Sequence, residues 1–406
     1  MEHPCNFTSA GTELRETAPE SRAVAVGAAR LDVVFLLSTL MIGGSERKIV
    51  RLAARLAAHG VRAGIACLNS PYTLAEEIRA DVPLWKLDRR GKLSLDTIRQ
   101  LRGIVVRHRP TTLVGVNLYP SLYVALTAMC SPQPRPHTVA LVNTSTFGQD
   151  SWRRDFYRWL LRIMGRTVHG CAAQRALWFA PGGRAWRRSS VIYNGVDLEH
   201  FAPGTATGEA DALRARCGIP PGRFVIGSVG RLAPEKNQAA LLDVLAHLHS
   251  AGVDAHLLIA GEGPLRAELT QRAVVLGIAR RVSLIGEIAD VRPVLAAMDV
   301  FVLPSVAVES FSNAALEAMA TARPVILSDI GGAREMIDDG VEGFIIGHTE
   351  MRARLPSLLA ALCADTRRRA RLGEAGRRRV ERCFSLDVMV TNYLELLRDA
   401  GEKCHV

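Results

Sequence analysis

Closely spaced cysteine pairs are missing from this sequence. Its 406 residues include eight cysteines, but no two of them form a C-x-x-C pair, and no histidine stands near them at the spacing of a metal site. This scatter argues against a zinc site or a disulfide framework and predicts a reduced, cytosolic chain. The eight are Cys5, Cys67, Cys130, Cys171, Cys217, Cys363, Cys383 and Cys404.

Long apolar runs are missing as well. No stretch approaches the roughly 20 apolar residues that a membrane span needs, so we expect a protein that is soluble or at most peripheral to a membrane. The first thirty residues carry acids and prolines early and contain no unbroken apolar stretch, which argues against a signal peptide. Residues 1–30 are therefore predicted to form a disordered tail.

Length and charge narrow the possibilities further. A chain of 406 residues exceeds what one hydrophobic core usually serves, so two domains are expected. The 51 Lys and Arg against 40 Asp and Glu give a formal charge of +11, which favours anionic partners. Nucleotides, nucleic acid and an acidic membrane surface all qualify, and charge alone does not choose among them.

Alternating strand and helix patterns begin at residue 31. The apolar run LDVVFLLS (31–38) predicts a buried strand, and residues 43–60 then show a helical period that closes at Gly60. Further buried strands are predicted at 62–68, 111–116 and 138–142, and a second series at 224–230, 255–261, 282–286, 300–305 and 324–329.

These two series predict an α/β protein with two Rossmann-like, doubly wound domains that face a cleft. Residues 201–223 are rich in Gly, Pro, Ala and Thr, which favours a domain boundary there. We assign residues 31–205 to the first domain, 206–385 to the second and 386–406 to a terminal segment. Ligands of such sheets bind at the carboxyl ends of the strands.

Two cations and two glycines follow strands of the second series. Arg231 and Lys236 lie in the loop after residues 224–230, where a diphosphate would suit both side chains; solvated surface charges are the alternative. Gly261 and Gly263 allow a tight turn and close approach of a ligand to the backbone. Arg266 stands where a dinucleotide fingerprint would have its last glycine, so the pair is weak evidence by itself.

Two carboxylates flank the start of a helix in PSVAVESFSNAALEAMA (304–320). Ser312 or Asn313 is a good N-cap, so Glu309 is predicted in the loop before the helix and Glu317 just after its first turn. The backbone N–H groups at such a helix start favour an anion. Glu317 could accept two sugar hydroxyls while Glu309 approaches a reacting group, although exposed helix charges are commonplace.

Seven segments in a fixed order resemble the retaining GT-B glycosyltransferases of glycosyltransferase family 4. The resemblance extends from about residue 31 to about residue 400 and depends on all seven segments together. They are GGSE (43–46), VIYNGVDLEHF (191–201), VGRLAPEKN (229–237), GEGPLRAEL (261–269), DVFVLPS (299–305), ESFSNAALEAMATARPVI (309–326) and GGAREMIDDGVEGFI (331–345).

The resemblance implies a role for each matching residue. Arg231 and Lys236 would hold the donor diphosphate, Glu317 the ribose hydroxyls, and Glu309 the donor sugar near its anomeric centre, so Arg231, Lys236 and Glu309 are the expected catalytic residues. Residues 194–197 would lead into the interdomain linker, and residues 384–400 would form a helix that crosses back onto the first domain. The remaining donor-binding positions would be Gly43, Gly44, Gly261, Gly263, Ser310, Phe311, Ser312 and Asn313.

The sequence departs from the family pattern in two places. Serines 310 and 312 flank the phenylalanine of the first glutamate motif, where glycines are common. In the first, acceptor-binding domain the family often has a histidine at a strand end, where this chain has Asn117 and Asn143 as acceptor-side candidates. The acceptor side of the site is therefore the less defined half.

The expected chemistry needs no cofactor. The chain contains no D-x-D motif, so Arg231, Lys236 and backbone N–H groups would neutralise the leaving nucleoside diphosphate without a metal ion. A retaining transfer would pass through an oxocarbenium-like transition state. Attack from the leaving-group face and a covalent intermediate on Glu309 both stay open, and the resemblance favours the former.

The resemblance also implies the partners. They are a nucleotide-sugar donor, most commonly a UDP-linked hexose or N-acetylhexosamine, and a glycan or lipid-linked acceptor, as in lipopolysaccharide or exopolysaccharide biosynthesis. A sugar-nucleotide epimerase or phosphorylase on the same fold is the main alternative. A binding-only protein is less favoured because all four charged site residues are present. The Arg clusters of residues 365–382 lack interleaved aromatic residues, so they indicate solvated helix faces and not a nucleic-acid site.

One predicted helix bears on where the protein works. In SWRRDFYRWLLRIMGR (151–166) one face carries Trp152, Phe156, Trp159, Leu160 and Ile163, and a separate stripe carries Arg154, Arg158, Arg162 and Arg166. We expect the aromatic face to pack onto the first sheet. The arginine stripe could face anionic lipids, which predicts a cytoplasmic protein that is peripheral to the inner face of the membrane.

Overall fold

A computed structural model describes residues 29–41, 43–143, 150–307 and 309–402, with the side chains of the last three left out. Residues 1–28, most of the predicted disordered tail, and residues 403–406 lie outside these ranges. None of the six cysteines described is in a disulfide. Within the same ranges, no helix has the length and apolar character needed to span a membrane.

The first sheet has seven parallel strands in the described part of the chain, in the order β3-β2-β1-β4-β5-β6-β7. In chain order the strands are β1 (Val33–Leu37), β2 (Ala63–Cys67), β3 (Leu84–Lys86), β4 (Thr112–Val116), β5 (His137–Val142), β6 (Arg166–His169) and β7 (Ser189–Val191).

The second sheet has six parallel strands among the described residues, in the order β10-β9-β8-β11-β12-β13. They are β8 (Phe224–Val229), β9 (Ala255–Ala260), β10 (Val282–Leu284), β11 (Val300–Leu303), β12 (Val325–Ser328) and β13 (Gly343–Ile346).

Helices cover both faces of each sheet, which is why the central strands are buried on both sides. Those in the described ranges are α1 (Gly44–Ala58), α2 (Leu95–His108), α3 (Leu118–Met129), α4 (Ser151–Ile163), α5 (Ala172–Trp178), α6 (Arg184–Arg187), α7 (Thr207–Arg216), α8 (Gln238–Ser250), α9 (Arg266–Val275), α10 (Arg292–Ala297), α11 (Asn313–Ala320), α12 (Ala333–Met336), α13 (Met351–Ala364), α14 (Thr366–Cys383) and α15 (Leu386–Glu402).

The strand order reverses direction once in each sheet, between β1 and β4 and between β8 and β11. Loops that leave neighbouring strands in opposite directions open a crevice at that point, and this is where open α/β sheets bind ligands. The two-domain, doubly wound fold predicted from the sequence is therefore confirmed. The predicted boundary at residues 205 and 206 falls in the connection between β7 and β8.

The last helix, α15, packs on the first domain, as the resemblance implied. Leu386, Met389, Val390 and Tyr393 are buried in the core beneath the first sheet. The backbone of Val196 pairs with this segment on both sides, since its N–H donates to the Phe384 oxygen at 2.9 Å and its oxygen accepts from the Leu386 N–H at 2.8 Å. The two segments that pass between the domains, the linker near Val196 and the start of α15, therefore lie side by side.

One expectation about helix α4 is wrong, and the expected packing of its aromatic face holds only for Phe156 and Leu160. The helix ends at Ile163, and Arg166 begins β6, where it pairs with Asp399 at 3.2 Å, so it is no part of an arginine stripe. The buried face of α4 consists of Tyr157, Leu160 and Leu161. Trp152 and Trp159 are 63% and 52% exposed, so the tryptophans do not pack onto the sheet.

The arginines of α14 are less solvated than expected. The side chains of Arg369, Arg377 and Arg379 are 15%, 17% and 15% exposed. Arg377 donates to the carbonyl oxygens of Phe201 and Ala320 at 2.9 and 2.8 Å. Arg377 thus joins the linker to the second domain, while Arg369 and Arg379 bind groups within the second domain. Charge patterning alone does not reveal these uses.

Candidate functional site

A cleft of about 760 Å³ lies between the carboxyl ends of the two sheets. It brings together most of the residues that the sequence singled out, from both domains. Those that line it are Gly43, Gly44, Asn143, Arg231, Lys236, Gly261, Glu309, Ser310, Phe311, Ser312, Asn313 and Glu317. Asn117 and Gly263, which were also predicted, are not part of the lining.

Lys236 and Glu309 meet at the switch point of the second sheet. Lys236 ends a short 3₁₀ turn after β8, and Glu309 lies in the loop after the neighbouring strand β11. The Lys236 ammonium is 2.5 Å from Glu309 Oε2, which also accepts from the Ser305 hydroxyl at 3.2 Å. Both side chains are mostly buried, at 21% and 15% exposure, so this ion pair lies partly out of water.

Arg231 is the more exposed cation of the pair predicted to bind a diphosphate. Its side chain is 68% exposed, and its one ion pair within the described residues is with Glu235, four residues on, at 2.5 Å. An exposed pair of this kind contributes little to stability. The guanidinium is therefore free to turn toward an anion in the cleft, where Lys236 offers a second positive charge.

Of the two predicted glycines after β9, only Gly261 faces the cleft. Its φ of +144° is reached at little cost only by glycine, and a Cβ atom there would lie 2.0 Å from the Gly230 carbonyl oxygen. Gly263 instead packs against the backbone of Leu232. Gly263 thus shapes the turn, and its assignment as a donor-binding residue has no support from the geometry.

Helix α11 presents its amino end to the cleft. Ser312 caps the helix, since its hydroxyl accepts from the Ala315 N–H at 3.3 Å, which confirms one of the two predicted caps. Phe311 is buried between the rings of Tyr193 and Phe384, at centroid distances of 4.9 and 5.1 Å. This aromatic cluster fixes the loop that carries Glu309 and the first turn of α11, whose free N–H groups suit an anion.

Glu317 lies one turn further along α11 and faces helix α1 of the first domain. Burial raises the pKa of its carboxyl to about 7, against the opposing pull of Arg51 and Arg47 on α1. The carboxyl thus changes charge close to neutral pH. The residue is half-buried and lines the cleft together with the two arginines.

The amino ends of α1 and α11 touch across the cleft. The Asn313 side-chain amide donates to the Gly44 carbonyl oxygen at 3.0 Å, and a Cβ atom at Gly44 would lie 2.9 Å from that amide nitrogen. Glycine at position 44 thus lets the two helices approach each other. The predicted glycine loop therefore joins the domains directly.

The two acceptor-side candidates have different surroundings. Asn117 follows β4 and precedes α3 with a φ of +66°, which asparagine tolerates, and its Oδ1 accepts from the Asn143 N–H at 2.9 Å. Asn117 thus shapes the loop and does not reach the cleft. Asn143 lines the cleft, and its Oδ1 accepts from Lys48 at 2.9 Å.

Sequence reasoning missed Lys48 and Asn194. Lys48 is 7% exposed, lines the cleft and also donates to Asn194 Oδ1 at 3.1 Å. Burial lowers the pKa of its ammonium to about 8, against the smaller opposing effect of Glu46. A signal was available, because Lys48 stands four residues before Leu52 on the buried face of α1, where a lysine is unusual.

A separate contact between the domains lies outside the cleft lining. Glu335 of the second domain accepts from the N–H groups of Ala172 and Ala173 in the first domain, at 2.7 and 2.9 Å. It also accepts from the Tyr193 hydroxyl in the linker at 3.0 Å. The two domains are thus linked by hydrogen bonds at two places, through Asn313 and through Glu335.

Two protein-family models match the chain. Residues 42–200 match the model described as Glycosyltransferase Family 4, and residues 223–364 match the model described as Glycosyl transferases group 1. The first match covers β2 to β7 with α1, and the second covers the whole second sheet.

Similar proteins have related descriptions. EpsF of Bacillus subtilis is 27% identical over 325 residues, which is 76% of this chain and 81% of EpsF. A Corynebacterium glutamicum protein described as a GDP-mannose-dependent monoacylated alpha-(1-6)-phosphatidylinositol monomannoside mannosyltransferase is 34% identical over 213 residues, 50% of this chain and 55% of that protein.

A solved structure shares the fold. HepE of Anabaena, in complex with UDP and glucose, superposes with a TM-score of 0.79 and 22% identity, covering 91% of this chain and all (100%) of HepE. The overall architecture is therefore GT-B.

Proposed function

We propose that this chain, which is a GT-B glycosyltransferase, moves a hexose or N-acetylhexosamine from a nucleotide-sugar donor to a glycan or lipid-linked acceptor, with retention of the anomeric configuration. The observation that carries this proposal is the meeting of Arg231, Lys236, Glu309 and the amino end of α11 at one switch point. Two cations and a helix amino end suit a diphosphate, and a carboxylate beside them suits the sugar attached to it.

Residues of the second domain would bind the nucleotide-sugar donor. Lys236 would leave its ion pair with Glu309 in part to contact the diphosphate, and Arg231 would turn from Glu235 toward the same oxygens. Glu317 would accept the two ribose hydroxyls, for which its ionised form is the better acceptor. Gly261, Ser310, Ser312 and Asn313 would offer backbone and side-chain donors around them.

Glu309 would act beside the anomeric carbon. The bond from that carbon to the diphosphate oxygen breaks with both electrons going to the diphosphate, and an oxocarbenium-like centre develops. The acceptor hydroxyl attacks from the leaving-group face and passes its proton to the departing diphosphate. Glu309 stabilises the developing positive charge, while Lys236 and Arg231 stabilise the developing negative charge.

No metal ion takes part in this proposal. The charge on the leaving diphosphate is met by the two cations and by the first turn of α11, which together replace a bound divalent cation. UDP is the preferred donor nucleotide, which the UDP complex of HepE supports; the GDP-mannose dependence of the corynebacterial relative makes GDP the second candidate.

The acceptor would be lipid-linked or part of a surface polysaccharide, and the protein would work at the cytoplasmic face of the membrane. The name of the corynebacterial relative, which includes phosphatidylinositol, supports a lipid-linked acceptor. Exposed Trp152, Trp159 and Ile163 on α4 lie among arginines, a combination that inserts into anionic lipid interfaces.

A ligand screen followed by product analysis tests this function. Thermal unfolding with UDP, GDP and their sugar conjugates should single out one nucleotide, since a ligand at 100 times its Kd stabilises by about 2.7 kcal/mol. NMR of the product should then show the anomeric configuration of the donor. An inverted product would refute retention, and turnover of a sugar nucleotide to its epimer or to a sugar phosphate would favour the epimerase or phosphorylase alternative, which neither matched family description names.

A further inference from the structure

Lys48 is a buried cation that the donor site described above does not use. Its ammonium lies between two amide oxygens, Asn143 Oδ1 at 2.9 Å and Asn194 Oδ1 at 3.1 Å. No carboxylate among the described residues forms an ion pair with it, although the side chain is only 7% exposed. A buried charge is costly unless a counter-charge meets it, so this arrangement favours an anion from outside the chain.

The hydrogen-bonding capacity around Lys48 is incomplete. An ammonium has three N–H donors, and the two asparagine oxygens take two of them. The Asn143 side-chain nitrogen is buried and has no hydrogen-bond partner among the described residues. Both groups line the same cleft, so a ligand with oxygen acceptors could satisfy an ammonium N–H and an amide N–H together.

The position of Lys48 places it opposite the donor loops. The start of α1, one turn before Lys48, touches Asn313 at the start of α11. Asn194, which holds Lys48, donates through its other side-chain atom to the Phe311 carbonyl oxygen at 2.8 Å. Phe311 is two residues from Glu309. Because Asn194 contacts both Lys48 and Phe311, Lys48 lies at the same end of the cleft as Glu309, on the side of the first domain.

We propose that Lys48 is a third cationic ligand of the donor diphosphate, contacting a phosphate oxygen from the first domain while Arg231 and Lys236 contact it from the second. This inference rests on the proposed function, since it assumes that a nucleoside diphosphate enters the cleft. The two asparagines hold the ammonium in place without neutralising it, which leaves its full charge for the ligand. The first domain thereby contributes a charged side chain to donor recognition, in addition to the glycines at positions 43 and 44.

The test compares UDP with uridine on one set of variants. Lys48→Met removes the charge, and Lys48→Gln removes it while keeping an amide that can donate to one asparagine. Arg55→Met is the matched control, because Arg55 is also on α1 and contacts the same linker through Asp197 at 3.3 Å, yet does not line the cleft. Binding is measured by calorimetry for UDP and by NMR titration for uridine, which has no phosphate.

We expect both Lys48 variants to bind UDP about tenfold or more weakly than the wild-type chain, with uridine binding and the Arg55→Met control within about twofold of wild type. A purely structural role would weaken UDP and uridine binding equally, and that result would overturn the inference. Unchanged UDP affinity in folded Lys48→Gln would overturn it too, while leaving the proposed function intact. A wild-type chain that binds neither UDP nor GDP would overturn both.

Discussion

The two domains have the same strand order around their switch points but differ in how they build the cleft. In the second domain the charged side chains of the cleft come from short loops that directly follow β8 and β11. Lys236 of the first loop and Glu309 of the second form an ion pair of 2.5 Å. In the first domain the cleft is built from Lys48 inside a helix and Asn143 at a strand end, joined by the linker residue Asn194. The charged groups of the second domain thus lie in short sequence motifs, whereas the polar groups of the first domain are brought together by contacts between distant segments.

The largest expected effect concerns the cations of the second domain. Arg231→Ala and Lys236→Ala should each lower the rate of sugar transfer, or of slow donor hydrolysis, by roughly a hundredfold or more, because charge on the leaving group loses its partner. Steady-state kinetics at saturating donor measures this. Arg266→Ala is the matched control, since Arg266 pairs with Glu262 at 3.0 Å in the next loop but does not line the cleft. Unchanged turnover in Arg231→Ala would contradict its assignment.

Replacing the two glutamates should affect different kinetic constants, kcat for Glu309 and the donor KM for Glu317. Glu309→Gln is expected to lower kcat by about tenfold to a hundredfold with little change in donor KM, because its charge is needed mainly in the transition state. Glu317→Gln should instead raise the donor KM by about tenfold, since hydroxyl contacts act nearly equally in ground and transition states. The reverse pattern would show that the two roles are exchanged.

The pH dependence of uridine binding should follow the ionisation of the Glu317 carboxyl. Because burial raises the pKa of this carboxyl to about 7, it is mostly protonated below that pH and mostly ionised above it. Ribose hydroxyls donate better to the ionised form, so uridine affinity should rise several-fold from about pH 6 to about pH 8. NMR titration of uridine, which avoids the titrating phosphates of UDP, measures the change. A Glu317→Gln variant should show a flat profile, and an equal slope in that variant would assign the effect to another group.

The difference between the domains also extends to their outer surfaces. The chain should bind anionic vesicles in a salt-sensitive way, and replacing Arg154, Arg158 and Arg162 with Gln should weaken binding several-fold, at about 1 kcal/mol or less per cation. Sedimentation with anionic and neutral vesicles measures this. The control replaces the exposed Arg367, Arg371 and Arg378 of α14 in the second domain, which removes equal charge. Equal binding to both vesicle types at low salt, or equal loss in the control, would remove α4 as the contact surface.

The smallest expected effect is that of a chelator. Transfer should continue at an unchanged rate with excess EDTA, because cations of the chain are expected to neutralise the diphosphate. The rate is measured before and after added Mg²⁺ or Mn²⁺. Complete loss with EDTA and recovery with either metal would refute metal independence.

Sequence periodicity was sufficient for strands that lie in continuous apolar runs. It found β1, β2, β4 and β5 and the principal strands of the second sheet, because strands buried on both faces consist of continuous apolar residues. It did not identify β3, β6, β7 or β13. Shortness alone is not the reason, since β10, β11 and β12 are as short and were predicted. Polar residues such as Lys86, Arg166 and Ser189 interrupt the apolar run that marks a buried strand in β3, β6 and β7.

The candidate site was also predictable only in part, in the second domain more than in the first. Local rules for loops and helix starts place Arg231, Lys236, Glu309 and Glu317 at strand ends and in α11, and the family resemblance selected them as site residues. The contact of Lys48 with Asn143 and Asn194 joins residues 95 and 146 positions apart, and only the packed fold brings them together. The exposed tryptophans of α4 show the same limit, since a helical period gives the faces of a helix but not which face meets the sheet.

Hydrogen–deuterium exchange with and without UDP tests most directly the claim that the second domain supplies the donor site. UDP should slow exchange of the backbone amides in residues 230–237, 261–263 and 309–317 more than in β5, β6 and β7 of the first sheet. Ligand contact and the loss of local opening both predict that pattern. Protection confined to the first domain, or no protection at saturating UDP, would contradict the account.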